Sequence, residues 1–218
     1  VSQSTTSDGR SQRWDEHKEQ RRARILDSAI AVIEESGVDF SVQAIAAQTG
    51  LPRPVVYRHF KDRADLDEQI RQRILKILMA DLLPSLHPAG TVGEAVAHAV
   101  TTYVLWTEKY PRLHHFLGIG VDKPAVSGAR GQISSALTTL FVSALSRTGA
   151  DIAPARPMAY GTIGFVDGVV SSWRTSPSAP AEQIVSLLTA SLLALLETTA
   201  KEQGIDLDRT TPVVDLLG

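Results

Sequence analysis

The chain contains no cysteine, which excludes disulfides, thiolate metal sites and thiol nucleophiles and fits a reducing compartment. It also lacks a long hydrophobic run. The longest nearly apolar stretch, Ile184 to Leu196, is interrupted by Ser186, Thr189 and Ser191 and is too short to span a bilayer. The first 13 residues, VSQSTTSDGRSQR, have no apolar core of the signal-peptide kind and are expected to form a disordered tail. These absences predict a soluble, cytoplasmic protein with no membrane partner. Signatures of catalysis are missing as well: there is no His-Glu-x-x-His, no Gly-x-Ser-x-Gly and no phosphate-binding glycine loop with Lys-Ser/Thr. The Gly-Ile-Gly stretch at Gly118 and the GTIGFVDG stretch follow no strand, so neither is a dinucleotide fingerprint. Adjacent His114 and His115 diverge on a helix and make poor joint metal ligands. No enzyme activity, metal or cofactor is expected.

A basic excess is absent too, the formal net charge being −2. Its distribution is more informative than its sum. Between Phe40 and Lys61 there is no acid, whereas Arg53, Arg58 and Lys61 are basic. A second basic cluster holds Lys18, Arg21, Arg22 and Arg24. A phosphate-binding face needs local positive charge rather than a basic average; the competing reading is an ordinary solvated helix surface.

Hydrophobic residues make up 43% of the chain, and their spacing is helical almost throughout. No strand-like alternation and no repeat is found. A first helix is predicted from about Glu16 to Ser36, with Leu26, Ala29, Ile30 and Ile33 on its inner face and Gly37 as its stop. Ser41 can cap a short second helix, Val42 to Thr49. Asp62 can cap a long helix from Arg63 to about Leu83. Helices from Thr91 to about Tyr110, from Pro111 towards Gly118, from Pro124 to Arg147, from Ala155 to Trp173 and from Pro180 to Gln203 follow. The fold class is all-α, with about nine helices. Three regions are expected: a tail (1–13), a small basic-faced head (14–65) and a larger apolar body (66–218), the last two joined through the long fourth helix.

The head contains two short helices joined by a glycine turn, the arrangement of a helix-turn-helix. Ala46 is small where the helices cross, Gly50 suits a positive φ, and Val56 and Phe60 return to the core. Pro52 and Pro54 fall in the first turn of the following helix, where backbone N–H groups have no helical partner anyway.

The segment from Ile25 to Leu66 resembles the N-terminal DNA-binding region of the tetracycline-repressor (TetR) family. The resemblance is carried by Ile45-Ala46, Gly50-Leu51, Tyr57-x-His59-Phe60, Arg63 and Leu66. It implies a three-helix DNA-binding head on a helical body that binds a small-molecule effector and forms a homodimer. The expected function is sequence-specific regulation of transcription, as a repressor released from palindromic double-stranded operator DNA by a mainly apolar ligand. A helical ligand-binding protein without DNA regulation is the alternative, and a helical enzyme a more distant one. Position by position, the resemblance makes Ser41, Tyr57, His59, Lys61 and Arg63 contacts to the DNA backbone. Arg53, Pro54 and Val55 stand at the end of the helix that meets bases, Arg53 for guanine and Val55 for a thymine methyl.

In the body, Gly161, Gly164 and Gly168 form one stripe of a helix. Each glycine costs about 1 kcal/mol of helix stability, which a close helix–helix contact would offset. Together with Leu188, Leu192 and Leu195 of the last long helix, they are the candidate dimer interface. Candidate ligand contacts are Tyr103, Trp106, Tyr110, His114, Phe116 and Asp167, the last a lone acid on an apolar helix.

Overall fold

The computed structural model describes residues 5–118 and 123–217, with side chains from residue 17 onward. Residues 1–4 of the expected tail, and Ile119 and Gly120 of the Gly-Ile-Gly stretch, lie outside the described residues. Ten helices are present among those described: α1 (Thr5–Ser36), α2 (Val42–Thr49), α3 (Arg53–Tyr57), α4 (Arg63–Ser85), α5 (Val92–Lys109), α6 (Pro111–Leu117), α7 (Pro124–Thr148), α8 (Ala155–Thr175), α9 (Ala181–Glu202) and α10 (Val213–Leu217). No strand occurs among the described residues; Thr91 and Pro212 form an isolated antiparallel bridge.

Three boundaries differ from the sequence reading. α1 starts at Thr5, so residues 5–13 of the expected tail are helical. No proline interrupts this stretch, and extending a formed helix costs far less than nucleating one. Pro84 lies inside the last turn of α4 instead of ending it. The tenth helix, α10, was not foreseen; its five residues are too few to show a period.

α1, α2 and α3 pack around Ile25, Ile33, Ile45 and Val56, all fully buried. Capping fixes the short helices. The Ser41 side chain accepts from the Ala44 N–H at 3.1 Å, and Gly50 closes α2 at φ 68. The Gly50 and Leu51 N–H groups donate back to the carbonyls of Ala47 and Ala46, which satisfies groups a helix end otherwise leaves orphaned. α4 begins at the Asp62 cap, whose carboxylate accepts from Asp65 N–H at 2.8 Å.

The head core does not stop at α3. Leu66, Ile70, Ile74 and Leu78 of α4 continue it into Trp106, Leu113, Phe116 and Leu117 of α5 and α6. A second cluster lies between α5, α8 and α9 around Val104, Val170 and Leu188. A third joins Val92, Leu193 and Val213, so α10 covers the end of α5 and α9. α7 packs most extensively on α8, and α5 on α9.

Candidate nucleic-acid interface and interior cavity

The face built by α3 is short and basic. Pro52 serves as its N-cap with φ −61 and ψ 140, and Pro54 sits in the first turn. A proline ring fixes φ near the helical value and gives up an N–H that a first turn cannot use. Val56 turns inward, while Arg53, Pro54, Tyr57 and Arg58 are exposed and Val55 is half-buried. The Arg53 guanidinium lies 5.5 Å from the centre of the Tyr57 ring and donates to the Tyr57 hydroxyl at 3.5 Å. Among the described residues, Arg53, Arg58 and Lys61 take part in no ion pair. Their charge is therefore free to meet an anion.

His59 is half-buried, and its Nδ1 is buried without a hydrogen-bond partner among the described residues. Burial pushes its pKa down, followed by the positive charges of Arg21, Lys18 and Arg22, with Glu19 opposing. His59 thus connects the two basic clusters of the sequence: those on α1 act on the turn that follows α3. An uncharged imidazole can approach phosphate as an N–H donor but not as a charge.

Arg63, expected at the DNA backbone, is engaged within the chain. Its Nε donates to Asp67 Oδ1 at 2.7 Å, its Nη1 donates to the Phe40 carbonyl at 3.3 Å, and its guanidinium lies 4.3 Å from the centre of the Phe40 ring. These contacts to Asp67 and Phe40 make it a bracket between α4 and the loop before α2. Ser41, the α2 cap, and Lys61, whose backbone N–H donates to Asp65 Oδ2 at 2.8 Å, keep exposed side chains. Arg22 is likewise occupied, donating to Gln69 Oε1 at 2.7 Å.

The body holds a partly open cavity of about 330 Å³. One wall is α4, through Leu75, Leu78, Met79 and Leu82. Opposite it, α7 presents Ile133, Leu137, Leu140 and Phe141, and α10 contributes Leu216 and Leu217. The α7 residues follow helical spacing, a signal present in the sequence but indistinguishable there from an ordinary core stripe. Of the expected ligand residues, Tyr103, His114 and Asp167 line this space.

Trp106, Tyr110 and Phe116 do not. Trp106 is buried in the cluster that joins head and body, with its ring 5.5 Å from that of Tyr110. Phe116 meets Phe40 of the head and is covered by Arg71 at 5.0 Å. These aromatics were expected at a pocket as the aromatic residues of the middle helices. A helix has several faces, and theirs turns towards the head.

The polar groups of the cavity converge. The Tyr103 hydroxyl donates to Asp167 Oδ1 at 3.1 Å, and Arg130 Nη2 donates to Asp167 Oδ2. Burial raises the Asp167 pKa, against the lowering effects of Arg130 and of the Tyr103 hydrogen bond. The His114 ring stands edge-on to Tyr103 at 6.4 Å. Burial, then Arg174 and His115, lower the His114 pKa to about 4, so this imidazole is uncharged at neutral pH. No group of three or more potential metal ligands occurs among the described residues.

The expected dimer residues divide in two. Gly161, Gly164 and Gly168 are exposed, and a Cβ added to any of them would meet nothing within 4 Å. Phe165 is exposed on the same helix, as are Leu187 and Leu195 on α9. Leu188 and Leu192, by contrast, are buried within the chain, and Leu192 lines the cavity. The inward and outward leucines of α9 alternate by helical period, which the leucine-rich sequence alone does not resolve. α9 is long and apolar enough to cross a membrane by length and composition, with mean hydropathy 1.5 over an 18-residue window, although 28% of that window is buried within the protein. The isolated run considered in the sequence was shorter than the helix that contains it.

Comparison with known proteins bears on both parts. Residues 25–70 match the family model for bacterial regulatory proteins of the tetR family. An uncharacterized HTH-type transcriptional regulator of Mycobacterium tuberculosis (strain H37Rv) is 25% identical over 187 residues, covering 84% of this chain and 80% of that protein. The crystal structure of a tetR-family transcriptional regulator from Streptomyces coelicolor superposes with a TM-score of 0.66 at 20% identity, covering 85% of this chain and 86% of the other. A transcriptional regulator from Rhodococcus sp. gives a TM-score of 0.63 at 21% identity, over 81% and 96% of the two chains.

Proposed function

We propose, from the premise that this chain is a DNA-binding transcriptional regulator with a tetR-family head at residues 25–70, that it binds a palindromic operator as a two-fold dimer and leaves it when a small, mainly apolar molecule fills the cavity. As such a regulator it is not an enzyme. One observation carries the ligand-release reading: the helix that walls the cavity also holds the head. Leu66 and Ile70 of α4 share the head core with Val56 and Phe60, and Leu75, Leu78, Met79 and Leu82 of the same helix face the cavity. A molecule that favours a different seat for α4 must therefore move α3.

The contact to DNA is assigned to Ser41, Arg53, Pro54, Val55, Tyr57, His59 and Lys61, with Lys18 and Arg21 of α1 added because their charge reaches His59. Arg53 is the candidate base reader and Lys61 a phosphate contact. Dimerisation is assigned to the outward face of α8 and α9, where Gly161, Gly164, Gly168, Phe165, Leu187 and Leu195 form an exposed apolar surface. A second copy, not lipid, is the fitting occupant, because two recognition helices must reach successive major grooves about 34 Å apart. It would also cover the half of α9 that its own chain leaves open.

The test is thermodynamic. Select the operator from random DNA, then measure ligand affinity by calorimetry with and without saturating operator. Release by ligand requires operator to weaken ligand binding by the same factor as ligand weakens operator binding; equal affinities in the two titrations would overturn the proposal. A 100-fold shift needs a preference of about 2.7 kcal/mol between the two conformations.

A further inference from the structure

The cavity wall is apolar, aliphatic apart from Phe141, except for a few polar side chains, four of which converge: Tyr103, His114, Arg130 and Asp167. Their charges cancel. Arg130 is paired with Asp167, which also accepts from Tyr103, and His114 is uncharged at neutral pH. Arg174, the further cation that His114 senses, does not line the cavity; its guanidinium stacks at 5.1 Å on Trp173. Ser85, another polar residue of the wall, spends its hydroxyl proton on the Leu82 carbonyl at 2.7 Å.

We infer that the cavity takes an uncharged molecule, an aliphatic body bearing one hydroxyl-type group, and discriminates against carboxylates. This deepens the reading of the cavity as the effector site and rests on it. A carboxylate entering here would leave one net negative charge in an apolar enclosure. Even after relaxation an unpaired buried ion costs several kcal/mol. The remaining N–H groups of Arg130 could bond it, but the Arg130 charge is already offset by Asp167, so one negative charge would stay uncompensated. A hydroxyl meets no such conflict. The Tyr103 oxygen and Asp167 retain lone pairs to receive its proton. His114 offers an acceptor nitrogen and an N–H donor, and Arg130 has further N–H groups. The aliphatic remainder gains about 25 cal/mol per Å² removed from water along the leucine-lined wall.

The experiment titrates the full chain at neutral pH with decanol, decanoate and decylamine, each displacing an uncharged environment-sensitive dye. Wild type is expected to bind decanol at least about tenfold more tightly than decanoate, the ratio expected when even part of the buried-ion cost is felt. Asp167→Asn leaves Arg130 unpaired and should invert that order; Arg130→Gln should favour decylamine. Ala99→Phe, which fills the cavity, should remove all three. Decanoate binding as well as or better than decanol in wild type would overturn the inference, as would failure of all three to bind. The wild-type comparison stands alone if a charge variant does not fold. If decanol is preferred but operator retention is unchanged by it, the uncharged cavity stands and the effector reading falls. If decanoate is preferred and releases operator, the effector reading stands and the uncharged cavity falls.

Discussion

The Phe116 ring of α6 lies 5.7 Å from the Phe40 ring of the head, centroid to centroid, with the planes inclined at 56°. Around this pair, Arg112 donates to the carbonyls of both Glu34 and Glu35 at the end of α1, each at 2.5 Å, and Glu68 accepts from the Ala125 N–H at 2.7 Å. Head and body therefore meet in a packed seam as well as through α4. Arg112 supplies donors to helix-end carbonyls that have no partner within α1. Replacing it with alanine should cost on the order of 1 kcal/mol, below the roughly 1.5 to 3 kcal/mol of a hydrogen bond to a charged group because the site is exposed, and should lower the melting temperature by a few degrees. Phe116→Ala should cost more, about 3 to 5 kcal/mol for a buried aromatic. Thermal unfolding of both variants measures this. A smaller loss for Phe116→Ala than for Arg112→Ala would mean the ring contact is incidental.

On DNA, three arginine or lysine substitutions should separate. Lys61→Ala should weaken binding to every sequence and reduce the salt slope by about one. Arg53→Ala should cost about 1 to 3 kcal/mol at particular base pairs and little elsewhere. Arg63→Ala should leave the salt slope unchanged but lower stability, because its side chain is spent on Asp67 and Phe40. Binding isotherms over a salt series, on operator and on scrambled DNA, distinguish the three. A reduced salt slope for Arg63→Ala would restore it as a phosphate contact.

The sequence made the head legible because short-range rules act there without competition. Gly50 takes the positive φ that its turn needs, Ser41 and Asp62 cap as their positions demand, and Val56 and Phe60, one helical turn apart, are the pegs that enter the core. The cavity was legible only where a polar residue stood out: Tyr103, His114 and Asp167 line it, while its apolar wall looks like any core. Trp106 and Phe116 lie away from the cavity, because residue type does not reveal which neighbour a buried face meets. The hold of Asp67 and Phe40 on Arg63 was not legible for a related reason, since a free cation and one held by an acid four residues on share the same local composition.

The dimer face gives a prediction in which two readouts should move in opposite directions. The position added at Gly164 meets open space within the chain. Gly164→Ala should therefore stabilise the isolated subunit by up to about 1 kcal/mol through helix propensity. If a partner helix approaches that stripe closely, Gly164→Leu should weaken the dimer and, with it, affinity for a two-half-site operator. Sedimentation at a series of concentrations reads assembly directly. A Gly164→Leu protein that dimerises like wild type would place the two-fold contact elsewhere.

The pH dependence of stability should carry the signature of His114. Its folded-state pKa is lowered from 6.5 to about 4 by burial and by the neighbouring positive charge of Arg174, with His115 adding to it. The unfolded chain consequently binds a proton near pH 6.5 that the folded chain accepts only near pH 4, so stability falls as pH drops through that interval. The contribution is fully present above the unfolded pKa and lost by the folded one. At about 1.4 kcal/mol per pKa unit, it amounts to about 3 kcal/mol, discounted for the flexibility that lets water reach a partly open cavity. Protonation of Asp65, Glu94 and Asp208, whose pKa values are lowered, also destabilises the fold in acid, whereas Glu34 and Asp167, whose pKa values are raised, act in the opposite sense. The informative quantity is the difference between wild type and His114→Gln, which keeps a polar group but cannot titrate. Denaturant unfolding at intervals across the window should show the variant losing less stability than wild type as pH falls. Parallel curves would mean that His114 gains its proton without opposing the fold, and that the imidazole has more access to water than its surroundings indicate.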